Sequence, residues 1–264
     1  DCAIFADTQS EPRAVYEWLG FLTPLLPFPV LRVTVGSLRN EIMAATRGEQ
    51  RMDARPPFFT ADTAILKRIC TECGSHNGAQ DNECDECGND ISDISALTIF
   101  RIGGMLNRQC TQDYKLIPIN RKVRELIGLA PHQRAPKVPT VEQWIGISKD
   151  EAQRMKPSRL PYITNRWPLI ERGMTRLHCI TWMYNKYGRI PPKSACTFCP
   201  YHDDAAWLAM KKNDPESFAD ACLVDAAIRE GVKNGTGKRI STAQWFVHRT
   251  KVPLAEVDFS MRTG

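Results

Sequence analysis

Two cysteine pairs, Cys70-x2-Cys73 and Cys84-x2-Cys87, stand ten residues apart in the stretch "RICTECGSHNGAQDNECDECGND", and a glycine follows each pair. The stretch is polar and almost free of aliphatic side chains, so it cannot fold by burying apolar surface. Four thiolates at this spacing satisfy a tetrahedral zinc ion at about 2.3 Å each, and the glycines let backbone amides turn toward the sulfurs. The segment is read as a zinc ribbon inserted at residues 67–101, with Zn2+ supplying its folding energy. The competing reading is four free or disulfide-bonded cysteines. His76 lies inside the loop and is read as a surface residue, since four thiolates complete the shell.

Outside the insert the pattern changes. "CAIFA" at residues 2–6 is a short apolar run, "VYEWLGFLTPLL" carries apolar residues at helical spacing, "VLRVTV" at 30–35 reads as a strand, and "SLRNEIMAATR" at 37–47 reads as a helix capped by Ser37. Alternating strands and helices imply an α/β fold with a parallel sheet and right-handed crossovers. In such sheets ligands sit beyond the carboxyl ends of the strands, which here means "ADTQSEP" and "GSL". The α/β body is therefore divided into residues 1–66 and 102–264, the second part ending in a helical region. There "KLIPINRKVRELIGL" (115–129) predicts a strand-like start running into a helix, and "VEQWIGIS" (141–148) a strand with Ser148 capping a following helix. "GMTRLHCITWMYNKYG" (173–188) predicts an amphipathic helix closed by Gly188; "DDAAWLAMKK" and "PESFADACLVDAAIREG" are two more.

The chain of 264 residues is long enough for one large domain with a small insert, and its net charge of +5 is compatible with a nucleic-acid or phosphorylated partner or with a basic solvated surface. No apolar stretch approaches the ~20 residues of a membrane span, and the beginning "DCAIFADTQ", with no Met, no basic n-region and no small-residue cleavage site, does not read as a signal peptide. Ten cysteines, six of them in Cys-x2-Cys pairs, favour metal binding in a reducing, cytoplasmic setting over a disulfide framework.

A second cysteine set is more ambiguous. Cys196-x2-Cys199 in "KSACTFCPYHDD" has no second pair nearby, and the remaining cysteines are Cys2, Cys110, Cys179 and Cys222. Cys2, Cys179 and Cys222 fall in apolar periodic stretches and read as core thiols. Cys110 lies in "NRQCTQDYK" beside Arg108 and Lys115, an electropositive setting that favours a thiolate. Spacing leaves three chemistries open: an iron–sulfur cluster on Cys110, Cys196 and Cys199, a second zinc site using His202, or a redox couple.

The segments "IFADTQSEPRAVYEWL", "RQCTQDYKLIPINRKVR", "WIGISKDEAQRMK", "YITNRWPLIERGMTRLHC", "PPKSACTFCPYHDDAAW" and "HRTKVPLAEVD" together resemble the phosphoadenosine phosphosulfate reductase-like branch of the PP-loop, or adenine nucleotide alpha-hydrolase, superfamily, often found in bacteria and phages. The resemblance covers nearly the whole chain except the insert. It implies a Rossmann-like doubly wound sheet that binds ATP or another adenine nucleotide, with Ala6, Asp7 and Thr8 beside the adenosine. Family members begin earlier, with a strand and a Gly/Ser-rich phosphate loop, so the chain is read as starting at the family's second strand; "NGTGKR" at 234–239 is no substitute and reads as a surface turn. Sulfonucleotide reductases of the superfamily carry a C-terminal cysteine nucleophile, and no cysteine follows Cys222. Its tRNA-thiolating members combine zinc knuckles with a three-cysteine site, which selects a [4Fe-4S] cluster on Cys110, Cys196 and Cys199.

The function expected from this resemblance is ATP-dependent activation and sulfur transfer, on a base of tRNA or DNA, with a sulfur donor as partner and the zinc insert available to contact nucleic acid. The alternatives are a sulfonucleotide reductase and a non-catalytic zinc-containing nucleic-acid-binding module. Asp150 and Glu151, at the start of a helix after a strand, are the candidate catalytic carboxylates; the plainer reading is a capped helix with acidic residues favoured by its dipole. Arg108, Lys115, Arg154, Arg176 and His202 are the candidate substrate and phosphate ligands, with Arg121 also near Cys110 in sequence. Arg176 and His178, two apart on one helix, point in different directions. Trp144, Trp167, Trp182 and Trp207 are expected in the core before they serve as stacking platforms.

Overall fold

The structure, a computed structural model, describes residues 1–52, 55–61, 63–78, 80–93, 97–232 and 243–259. It is a mixed α/β protein whose described strands form four small sheets and no closed barrel, and it divides into two compact units. No described helix is long and apolar enough to cross a membrane. The "NGTGKR" segment lies outside the described residues, as does the side chain of His76.

The first unit comprises Asp1–Phe5, Ala14–Val33 and Ile117–Ser194. In it β1 (Ala3–Ala6) pairs with β2 (Val30–Val33) around α1 (Arg13–Leu22), and β7 (Val141–Trp144) runs parallel to β8 (Ile163–Arg166) with Val141 opposite Ile163. The small core joins Val123 of α3 (Ile117–Leu126) to Tyr162 and Ile163, with Ile4, Ile119 and Val141 packed against them. Strand alternation sends Val141 inward and Trp144 outward with Glu142, so Trp144 is 65% exposed rather than in the core. After the short α4 (Pro168–Glu171), α5 (Arg176–Tyr187) is capped by Thr175, which accepts the His178 amide, and closed by Gly188 in the left-handed region at φ 65°. None of its residues is buried, and Trp182, expected inside, is half exposed.

Two local expectations change here. The "KLIPI" stretch is a π-helical turn (Gln112–Leu116) leading into α3 rather than a strand, because Pro118 cannot donate to a ladder yet fits the first turn of a helix. Ser148 precedes a short 3₁₀ turn (Lys149–Arg154) without a side-chain cap; the carboxylate of Asp150 instead accepts the Arg176 amide at 2.8 Å and so caps α5.

The second unit comprises Ala6–Arg13, Thr34–Leu116 and Ala195–Gly264. Ser37 caps α2 (Leu38–Arg47) by accepting the Asn40 amide, as its sequence predicts. Further along, β3 (Phe59–Ala61) pairs antiparallel with β9 (Gln244–Phe246), and α6 (Asp204–Asn213) and α7 (Pro215–Ile228) form the helical C-terminal part, α7 packing on both α2 and α6. Leu38, Ile42, Phe58, Phe198, Trp207, Val224, Ile228 and Trp245 build the main core. Buried Asp225 organises the chain end: it pairs with Arg229 and accepts the Val247 and Leu254 amides at 2.7 and 3.0 Å. The insert is a three-stranded antiparallel sheet in the order β5-β4-β6, from β4 (Thr63–Ile69), β5 (His76–Gly78) and β6 (Leu97–Ile102).

Candidate functional site

The four thiols of the insert converge. The four sulfurs of Cys70, Cys73, Cys84 and Cys87 lie within 4.8 Å of one another, with Cys70 to Cys87 and Cys73 to Cys84 both at 3.5 Å. Thiolates ~2.3 Å from a tetrahedral ion sit ~3.8 Å apart, so this set fits a single zinc. The two knuckles have the same backbone. In each, the glycine amide returns to the first cysteine's carbonyl, Gly74 to Cys70 at 2.9 Å and Gly88 to Cys84 at 2.8 Å, with φ of 73° and 70°. The first cysteine's own amide then donates onward, Cys70 to the Ser75 carbonyl and Cys84 to the Asn89 carbonyl.

The same turns tune the sulfurs. The Cys73 amide, against burial, lowers the Cys70 pKa. The Ser75 hydroxyl, 2.8 Å from the Cys84 sulfur, brings that thiol down to about 6. Cys87 goes the other way: the Asn89 amide favours its thiolate, but the neighbouring thiols and burial raise it to about 12. Spreading the values this way lets one thiolate form first and the others ionise on metal capture.

The second cysteine set sits in the second unit with the end of β1. The Cys196–Cys199 loop closes on itself through the Cys199 amide and the Cys196 carbonyl at 2.9 Å. Phe198, 1% exposed, anchors the loop in the core, and the Thr197 amide donates to the Ser10 carbonyl at 2.8 Å. The segment after β1 reaches the loop and α2 together: the Thr8 hydroxyl lies 3.3 Å from the Cys196 sulfur, while the Thr8 carbonyl and Ser10 hydroxyl accept the Leu38 and Arg39 amides. Asp7, Thr8, Ser10 and Glu11 are all buried. Gln9 takes a positive φ of 54° because the Asp7 carboxylate accepts its amide at 2.8 Å, folding the chain tightly after the strand. His202 turns Nε2 to the Cys196 carbonyl at 2.9 Å, and since a carbonyl only accepts, this nitrogen carries the proton; the ring packs edge-on against Trp207.

Cys110 joins the same neighbourhood. Cys110 and Cys196 both pack against the main core, and the Gln109 and Cys110 amides fasten their loop to the Arg55 carbonyl. Burial pushes the Cys199 thiol up; the Tyr201 amide lowers it, Cys110 raises it further, and Arg108 and Lys115 lower it. Burial likewise pushes Cys196 up to about 12, with the Thr8 hydroxyl and Lys115 pulling the other way and Glu11 adding to the rise. Arg108 lies over the Tyr201 ring at 5.2 Å, and Lys115 pairs at 3.4 Å with Glu11, whose side chain is fully buried. Cys110, Cys196 and Cys199 are thus neighbours, yet they do not form a group as tight as the four zinc-ribbon sulfurs.

The remaining sequence candidates fall elsewhere. Asp150, Glu151, Arg154 and Arg176 belong to the first unit, where Asp150 caps α5 and Glu151 pairs with Arg154 at 2.7 Å on the surface. Arg121 lies on α3 of that unit. Sequence reasoning missed Ser10, Glu11, Thr197 and Ser75. The first two stand in the "DTQSEP" stretch already placed at a strand's carboxyl end, whereas Ser75 gives no signal beyond following a knuckle glycine. Compared with known proteins, the chain matches no family model, no curated protein and no solved structure.

Proposed function

We propose that the chain is the α/β body of an enzyme of the phosphoadenosine phosphosulfate reductase-like branch of the PP-loop superfamily, with a Rossmann-like fold. In this reading it uses ATP to activate a nucleic-acid base and then transfers sulfur to it. The observation that carries the reading is the meeting of Thr8 with Cys196 beside Cys199, Cys110, Arg108 and Lys115. It joins the strand end expected to hold an adenine nucleotide to the three thiols expected to hold a cluster.

Asp7 and Thr8 line the nucleotide in this reading, and Arg108 and Lys115 counter phosphate charge. Cys110, Cys196 and Cys199 would hold a [4Fe-4S] cluster, which would supply sulfur-handling chemistry when bound. The His202 hydrogen bond to the Cys196 carbonyl keeps the loop in register. A base carbonyl oxygen takes up AMP as pyrophosphate leaves, and sulfide replaces that oxygen as AMP departs, with no net change in oxidation state. Buried Thr8, Ser10 and Thr197 give the site fixed polar groups that exclude bulk water.

Anaerobic purification followed by metal analysis tests the reading. About four irons and one zinc per chain, with iron lost in Cys110→Ala, is the expected outcome. Two zincs and no iron would overturn it.

A further inference from the structure

The positive charge of the protein is unevenly placed. The first unit carries 16 Lys and Arg against seven Asp and Glu, while the second carries 19 against 23. The zinc insert, residues 67–101, has three basic residues against seven acidic ones, so it repels phosphate rather than attracting it. From Arg172 to His202 the chain contains no acidic residue at all.

That acid-free run includes α5, a helix with no buried residue, and one side of it joins α1 in a continuous aromatic and cationic array. Trp18 meets Phe21 at 5.4 Å between ring centroids, Phe21 meets Tyr187 at 5.9 Å, and Tyr187 meets Trp182 at 6.0 Å. Cations alternate with the rings: Lys186 lies 4.8 Å from the Trp182 centroid and 5.1 Å from Tyr187, and Arg189 lies 4.5 Å from Phe21. At one end the array borders a cleft of about 280 Å³ lined by Trp18, Glu17, Arg189 and Ile190. Drug-sized ligands need ~300–1,000 Å³, so the cleft suits a smaller group.

We propose that this face of the first unit binds single-stranded nucleic acid, with one base seated in the cleft beside Trp18 and Arg189. Rings alone would fit any apolar partner; rings interleaved with cations on a unit of net positive charge select a polyanion with flat faces to stack. The Glu17 carboxylate at the cleft offers an acceptor to a base N–H group, a contact a bare phosphate cannot make. The inference goes beyond the proposed function, since it rests on the first unit's own composition and geometry and holds whether or not the second unit carries a cluster.

Fluorescence anisotropy of the zinc-loaded full chain with labelled 15-nucleotide oligo-uridine, oligo-deoxythymidine and a hairpin duplex tests it. Either single strand should bind more tightly than the duplex, and affinity should fall about tenfold between 50 and 200 mM salt, as expected for two or three phosphate contacts. Which strand binds better separates RNA from DNA. Lys186→Glu with Arg189→Glu should weaken binding more than tenfold, and Trp182→Ala about fivefold. Circular dichroism confirms folding, and Lys186→Gln serves as a milder variant. No binding at 50 mM salt, or binding that these variants leave unchanged, overturns the proposal. A change in sedimentation mass without a change in binding assigns the face to a second copy of the chain and overturns it equally. Iron content, measured separately, reports on the proposed function alone.

Discussion

The hydroxyl of Thr8 lies 3.3 Å from the sulfur of Cys196, a contact closed across 188 residues of sequence. Around it the chain makes three further ties: Thr197 to Ser10, and Leu38 and Arg39 back to Thr8 and Ser10. One five-residue segment after β1 therefore fixes both the start of α2 and the cysteine loop. The loop cannot shift without disturbing the core, because Phe198 between its two cysteines is buried there.

Thiol reactivity should follow this burial. In metal-free protein at pH 8, Cys196, pushed up to about 12 by burial, stays a neutral thiol and should be the slower of the two to alkylate, while exposed Cys73 reacts early. Phe198→Ala, which empties a buried site at a cost of about 3–5 kcal/mol, should speed Cys196 labelling relative to Cys73. Peptide mapping by mass spectrometry after timed iodoacetamide exposure reads both, and labelling of Cys196 as fast as Cys73 in the unaltered chain would show that its loop is open.

Zinc capture should depend on Ser75. Its hydroxyl brings Cys84 down to about 6, so at pH 7 one thiolate is already formed. Ser75→Ala removes that stabilisation, raises the Cys84 pKa and makes protons better competitors for the sulfur. The pH at which half the zinc is bound should therefore move upward, whereas Cys70→Ser should reduce zinc content toward zero. Competition with a chromophoric chelator across pH 5–8 measures the first, and elemental analysis the second.

Gly103 has no room for a side chain. A Cβ there would sit 1.7 Å from the Thr60 carbonyl oxygen and 2.8 Å from the Ala61 Cα, and both obstacles are backbone. Gly103→Ala should lower stability by about 3 kcal/mol or more, as severe overpacking does. A urea titration should show a lower midpoint; the neighbouring Gly104→Ala, whose Cβ would meet only the Thr60 hydroxyl at 3.9 Å, is the control for space.

Acid stability should report Asp204. Burial pushes its pKa up, but hydrogen bonds from buried His248 at 2.9 Å and from Arg249 at 2.6 Å outweigh that and hold it below the ordinary carboxylate range. A depressed folded pKa adds stability above the unfolded value, ~3.9, that is lost as pH falls through the folded one. Asp204→Asn should cost about 2 kcal/mol at pH 7, and the gap to the unaltered chain should close below about pH 4. Thermal melts at pH 7 and pH 3 test the sign; a gap that widens in acid would refute it.

Local chemistry made much of the molecule legible. The knuckles are written by Cys-x2-Cys-Gly, and glycine after each pair is where the backbone needs a positive φ. Ser37 and Gly188 mark helix ends correctly because capping depends on adjacent residues alone. Trp144 and Trp182 were misplaced because apolar spacing says which residues share a face and not whether anything covers it. "KLIPI" misled for a related reason, since a short alternating run reads alike in a strand and in a helical turn.

By itself the sequence determined which side chains can hold metal and where α2 begins and α5 ends, since those follow from residue type and short spacing. Only the tertiary structure decided that Cys110 neighbours Cys196 and Cys199, that Thr8 meets Cys196, and that Asp150 caps a helix instead of standing free. Such partners lie tens to hundreds of residues apart, and their meeting depends on how Phe198, Leu38 and Trp207 share one core, which no local pattern encodes.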